Sequence, residues 1–178
     1  MNSFPAELLT SPYALRALRE LDLEALPQIF PESGAYGATI ADRRRWLRDV
    51  ENIPWGRNPK TRLVMEESTT GRVLAGFTIE RQSEAVGILR YGFRPSTAMT
   101  QIAGFLLAKE YAFERLNLIA LRTDMIGGQD PLAQIHAQIG YKEAVRLREW
   151  WRDAEDTPRD FITYEAVNPE WKAQDGGE

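Results

Sequence analysis

Few side chains in this sequence can do acid–base or nucleophilic chemistry. Histidine occurs once, as His136, and cysteine not at all, which excludes thiolate metal sites, disulfides and an acyl-cysteine intermediate. No carboxylate or thiolate stands at ligand spacing from His136, so it has no partners for a metal. An imidazole can pass a proton in either direction near neutrality. His136 also shares a helical spacing with Leu132, Ile135 and Ile139, where it reads equally as a residue of a packed face. No Gly-x-Ser-x-Gly elbow is present to suggest a serine hydrolase. The hydroxyls of Ser96, Thr97 and Thr100 gather just after Pro95, with Arg94 beside them. At a helix start such hydroxyls either cap the helix or bind an anion. Glu80 and Glu84 read as solvated strand-end carboxylates. Arg43, Arg44, Arg45 and Arg48 suit an acidic peptide or RNA or, more simply, a solvated helix face.

These groups are positioned by a mixed succession of elements. Residues 13–18 read as a strand, and residues 21–30 as a helix interrupted at Pro27. The Gly-rich stretch 31–39 reads as a loop. Thr39 can cap a helix over 40–51, with Asp42 in its first turn. Strands are expected at 62–65 and 73–79, joined by turn residues 67–71, and again at 86–93, stopped by Pro95. From residue 97 the period changes to that of a long amphipathic helix reaching 115, because Ile102, Phe105, Leu106, Ala112, Phe113 and Leu116 recur at helical spacing. A strand at 118–123, a helix opened by Asp130-Pro131 and ended by Gly140, and strands at 142–151 and 160–167 complete the chain. Clustered strands with helices apart from them predict an α+β fold around a mostly antiparallel sheet.

The chain has 178 residues, 43% hydrophobic and 27% charged, and a net charge of -4. One domain over residues 1–178 is expected, frayed from about residue 170. No global field recruits nucleic acid, no stretch has the length of a membrane span, and the expected compartment is the cytoplasm.

The order of Tyr111-Ala112-Phe113-Glu114, Thr123, Ile139-Gly140-Tyr141, Arg159-Asp160 and Tyr164 resembles the second half of the RimJ/RimL-type N-acetyltransferases of the GNAT superfamily. The first half resembles them more loosely. The resemblance implies a GNAT fold with a splayed strand pair, acetyl-CoA as cofactor, and an amine acceptor such as a protein N-terminus or a small molecule, with a homodimer as one arrangement. It places pantetheine against backbone at Gly92, Phe93 and Arg94. The pyrophosphate falls at Ser96, Thr97, Ala98, Met99, Thr100 and Gln101, and a further contact at Gln129. Met99 and Gln101 stand where the family has small residues, and the expectation is that they crowd the phosphates. His136 takes the position of the family's acid, Leu132 replaces a family Ser, and the family's strand carboxylate is absent, leaving Glu84 or Glu80 to substitute. These departures make a GNAT-fold binding module that has lost catalysis the alternative expectation.

Overall fold

The computed structural model describes residues 8–10, 12–51, 60–127 and 130–174. One eight-stranded sheet runs through them in the order β1-β2-β3-β4-β5-β6-β8-β7. Its strands are β1 (Leu8–Thr10), β2 (Tyr13–Ala17), β3 (Lys60–Glu67), β4 (Val73–Arg81), β5 (Val86–Phe93), β6 (Ala120–Ile126), β7 (Lys142–Arg152) and β8 (Pro158–Val167). Every neighbouring pair is antiparallel except β5 and β6. The helices are α1 (Leu26–Ile29), α2 (Ile40–Glu51), α3 (Ala98–Glu110), α4 (Asp130–Gln138) and α5 (Pro169–Gln174).

Local sequence accounts for most boundaries. At α2, the Asp42 N–H donates to Thr39 Oγ1 at 3.1 Å while the Thr39 N–H donates to Asp42 Oδ2 at 3.2 Å. This is a reciprocal cap in which a shorter acid plays the usual Glu. Trp46 and Leu47 are buried and Arg44, Arg45 and Arg48 are exposed, as a solvated face requires, whereas Arg43 is half-buried and donates to the Leu23 and Ala38 carbonyls. Arg44 pairs with Glu20. The long helix is α3, finished by a π turn over Tyr111–Arg115, and Asn117 leaves it at a φ of 52°.

Two expectations are corrected. Residues 31–36 form a 3-10 helix rather than a loop. The strand expected at 118–123 occupies Ala120–Ile126. After β8 a short helix follows over Pro169–Gln174, and the end of the tail lies outside the described residues. No helix among the described residues is long and apolar enough to cross a membrane.

Two apolar layers sandwich the sheet. On one face, α3 and α4 cover Met65, Phe77, Leu89, Leu121 and Tyr164. On the other, α1 and α2 bury Leu26, Ile29, Phe30 and Trp46 against Val64 and Val73. α1 lies so close to the sheet that a Cβ on Gly92 would stand 2.7 Å from the Ile29 carbonyl oxygen, and one on Gly76 would stand 2.6 Å from it. Glycine at these two positions is what lets the α1 backbone touch β4 and β5.

Candidate active site

The two parallel strands part almost as soon as they pair. Val86, Gly87 and Ile88 match Ala120, Leu121 and Arg122, and beyond Ile88 the ladder ends although β5 runs on to Phe93 and β6 to Ile126. The Arg94 N–H donates to the Leu74 carbonyl, continuing the β4–β5 register. In an antiparallel ladder the backbone groups alternate in direction, so those of Leu89, Tyr91 and Phe93 turn the other way, into the gap left by β6. The gap therefore has one wall of hydrogen-bonding backbone, and α3 starts at its open end.

That helix start is partly closed on itself. Thr97 is the cap, and its Oγ1 accepts from the Thr100 N–H at 3.3 Å and lies 3.1 Å from Thr100 Oγ1. Tyr13 Oη is 3.3 Å from the same Thr100 hydroxyl. The N–H groups of Ala98 and Met99 remain as the first-turn donors of the helix. Ser96 Oγ is buried with no partner. Met99 is 70% exposed in the first turn of α3.

On the α1 face, at the same gap, lies a pocket of about 310 Å³ lined by Phe30, Glu32, Thr78, Arg90, Tyr91 and Asp124 among others. Asp124 stands two residues past the last paired residue of β6. It accepts from Thr163 Oγ1 at 2.7 Å. Glu80, half-buried at the end of β4, pairs with Lys60. A cleft bounded by strand backbone on one side of the sheet thus meets a pocket carrying Glu32 and Asp124 on the other.

No protein-family model matches the chain, and no curated protein matches it in sequence. Solved structures do match in shape. A ribosomal-protein-alanine acetyltransferase from Vibrio fischeri superposes with a TM-score of 0.70 at 14% identity, over 94% of this chain and 99% of its own. A variant of the spermidine N-acetyltransferase from Vibrio cholerae does so with a TM-score of 0.73 at 12% identity, over 93% and 99%. The fold is that of the GNAT acetyltransferases. At these identities the likeness concerns the backbone, and the side chains of this chain have to be read on their own.

Set in the GNAT frame, His136 is fully buried. Its ring is stacked on Tyr164 at 5.5 Å and edge-on to Tyr141 at 5.2 Å, with Phe105 at 4.7 Å and Tyr91 at 6.2 Å. Nδ1 is 2.6 Å from the Leu132 carbonyl oxygen. A carbonyl only accepts, so the neutral ring carries its proton on Nδ1, and Nε2, buried and unpartnered, is a bare lone pair. Nε2 could give a proton only from the imidazolium, which burial opposes by lowering the His136 pKa from its ordinary 6.5. Two phenols beside it do stay protonated. Tyr91 is pushed up to about 12 by burial, and Tyr141 is raised further by the same cause.

The same shift makes a stability prediction. A folded pKa below the unfolded one means that the unfolded chain binds more protons in between. Stability tied to His136 is then complete above about pH 6.5 and declines as the pH falls below it, by at most about 1.4 kcal/mol per pH unit. Since the chain has one histidine, His136→Phe should flatten that part of the profile in urea titrations at pH 5, 6 and 7. An unchanged slope would show that water reaches the ring.

The remaining sequence candidates scatter. Glu84 is exposed in the turn before β5, at the closed end of the gap where β5 and β6 are still paired. Arg94 donates to the Val73 carbonyl and helps line a second hollow with Leu21, Gln28 and Arg72, on the α1 side rather than over the start of α3. Gly92 faces α1 with its Cα, while Phe93 offers backbone to the gap. Gln101 is half-buried in the first turn of α3, and Gln129 lies outside the described residues. Asp124, Glu32 and Tyr91 are the groups that reading the sequence alone missed. Asp124 stands between buried Thr123 and Met125 like any outward strand residue, and only the divergence of β5 makes its position special.

Proposed function

We propose that this chain is an acetyl-CoA-dependent N-acetyltransferase acting on an amine. The observation that carries this reading is the early parting of β5 and β6, which leaves strand backbone facing a cleft that runs from the start of α3 to an acidic pocket. The fit to acetyl-CoA rests on three features. The Leu89, Tyr91 and Phe93 backbone edge suits the amides of pantetheine, the Ala98 and Met99 N–H groups suit a phosphate at a positive helix end, and the orphaned Ser96 hydroxyl offers a further donor. When bound, acetyl-CoA supplies the activated acyl group.

The chain's own residues then divide the proton work. Glu32 and Asp124 hold the incoming ammonium in the pocket. Asp124, steadied by the Thr163 hydroxyl, is the carboxylate we assign to take its proton. Tyr91, protonated at neutral pH, reaches the gap from the other face, where its ring packs with Phe105 and His136, and it is the group we assign to protonate the leaving thiolate. His136 serves as a ring of the packed wall behind Tyr91.

Binding is the first test. Acetyl-CoA at about 100 times its Kd should stabilise the native chain by about 2.7 kcal/mol, a rise in Tm of about 5–10 °C for a chain this long. A second reading, a GNAT-fold binding module without catalysis, is favoured by the Thr97 cap that consumes the Thr100 N–H. An absent thermal shift at millimolar acetyl-CoA would select it.

A further inference from the structure

The GNAT layers do not cover the whole sheet. Among the described residues, the α1 face of the half built from β6, β8 and β7 is exposed along β7 and mostly half-buried along β6 and β8, and its side chains form rows set by register. Asp124 pairs with Thr163, and Thr163 with Val145; Ile126 pairs with Phe161, and Phe161 with Leu147. Residues directly opposite share a face, so these rows lie side by side. Val145 is 47% exposed, Leu147 40% and Trp150 61%, and the Trp150 ring rests 5.2 Å from that of Phe161. β7 is exposed along its whole length. Apolar side chains grouped on an open strand mark a surface that something covers.

We propose that this strip receives the polypeptide of the acceptor: the substrate is a peptide amine followed by apolar residues, its amino group in the acidic pocket and its next side chains on Val145, Leu147 and Trp150. This rests on the acetyltransferase reading above and extends it to substrate class. Two observations commit the strip to a peptide. It is continuous with the pocket, since Asp124 lines the pocket and begins the row that ends at Val145. The reach also matches, because two strand spacings separate β6 from β7, about 10 Å, and an extended chain rises about 3.3 Å per residue. The third and fourth residues of a peptide anchored at Asp124 therefore arrive over the strip. A second copy of the chain fits worse. Antiparallel pairing of two β7 strands about Leu147 would set Lys142 against Arg152 and Arg146 against Arg148, like charges directly opposite one another.

The test compares two peptides with free amino termini, one carrying Leu and Val at positions three and four and one carrying Ser at both. Each is presented to the full chain and to a Leu147→Ser, Trp150→Ser variant checked for an unchanged melting curve. At saturating acetyl-CoA the native chain should prefer the apolar peptide by about tenfold or more in kcat/KM, mainly through KM, as burial of two apolar side chains allows. In the variant that preference should collapse toward unity. Titration of tryptophan fluorescence with each peptide in the absence of acetyl-CoA reads the same preference as Kd. A chain that binds the apolar peptide selectively but never transfers would sink the enzyme reading and leave this one standing. Equal affinity for the two peptides, or a preference that survives in the variant, overturns it. So does a native dimer by light scattering that the variant converts to monomer, since the strip would then belong to a second copy.

Discussion

Asp22→Ala should lower the stability of the fold by about 3–5 kcal/mol, the range for removing one partner of a buried ion pair. The Arg16 and Asp22 side chains are 2% and 0% exposed. The guanidinium donates twice to the carboxylate, Nη1 to Oδ2 and Nη2 to Oδ1, each at 2.8 Å, and Nε donates to Glu66 at 2.6 Å. Asp22 above all holds the Arg16 pKa well above its ordinary value, against the opposing effect of burial. Without Asp22 a cation stays out of water with one charged partner, Glu66 at the rim, and the Ala17 carbonyl. The Arg19 N–H, which donates to Asp22 at 2.8 Å, is stranded too. The pair joins β2 to the turn before α1, so the damage should spread to the pocket that α1 borders. Urea denaturation measures the loss. Arg16→Met with Asp22→Leu, which removes both charges, should cost far less than the single change. A single-mutant loss below about 1 kcal/mol would mean that water already solvates the pair.

Asp124→Asn should slow acetyl transfer by about 100-fold, a typical contribution of one positioned base. The amide keeps the shape of the carboxylate and can still accept from Thr163, so the fold and the acetyl-CoA thermal shift should persist. What it cannot do is take a proton. The loss should therefore fall on the single-turnover rate at saturating acetyl-CoA, and it should shrink as the pH rises and the amine arrives already deprotonated. Thr163→Val should cost less, since it only releases the carboxylate from one orientation. A variant that transfers at the native rate would move the proton to Glu32.

The layout of the fold was legible where local chemistry is strong. Thr39 with Asp42 marked the start of α2, Pro95 the end of β5, and the apolar recurrence from Ile102 to Leu116 the long helix with its continuation. The short elements were not, because Leu8–Thr10, Pro31–Tyr36 and Pro169–Gln174 are too brief to show a period. The site was less legible still. That His136 is a wall residue depends on four rings brought from β5, α3, β8 and the stretch after α4, and that its proton sits on Nδ1 depends on a carbonyl one turn back. Glu84 and Asp124 look alike in one dimension. They differ in which end of β5 they face, which is a property of where two strands stop pairing.

That short pairing also shapes how the chain acquires its structure. β3, β4 and β5 follow one another as hairpins, as do β1 with β2 and β7 with β8, whereas β2 with β3 and β6 with β8 join segments far apart in sequence. The halves β1 to β5 and β6 to β8 meet along the sheet through three paired residues, Val86 to Ile88 with Ala120 to Arg122, that close a loop of more than thirty residues holding α3. Non-local contacts of this kind form late in folding, and a seam this short opens more readily than the longer ladders on either side of it. In hydrogen exchange the chain should therefore behave as two cooperative units hinged at the cleft, with the amides of Gly87 to Phe93 that face β6 exchanging before those that face β4.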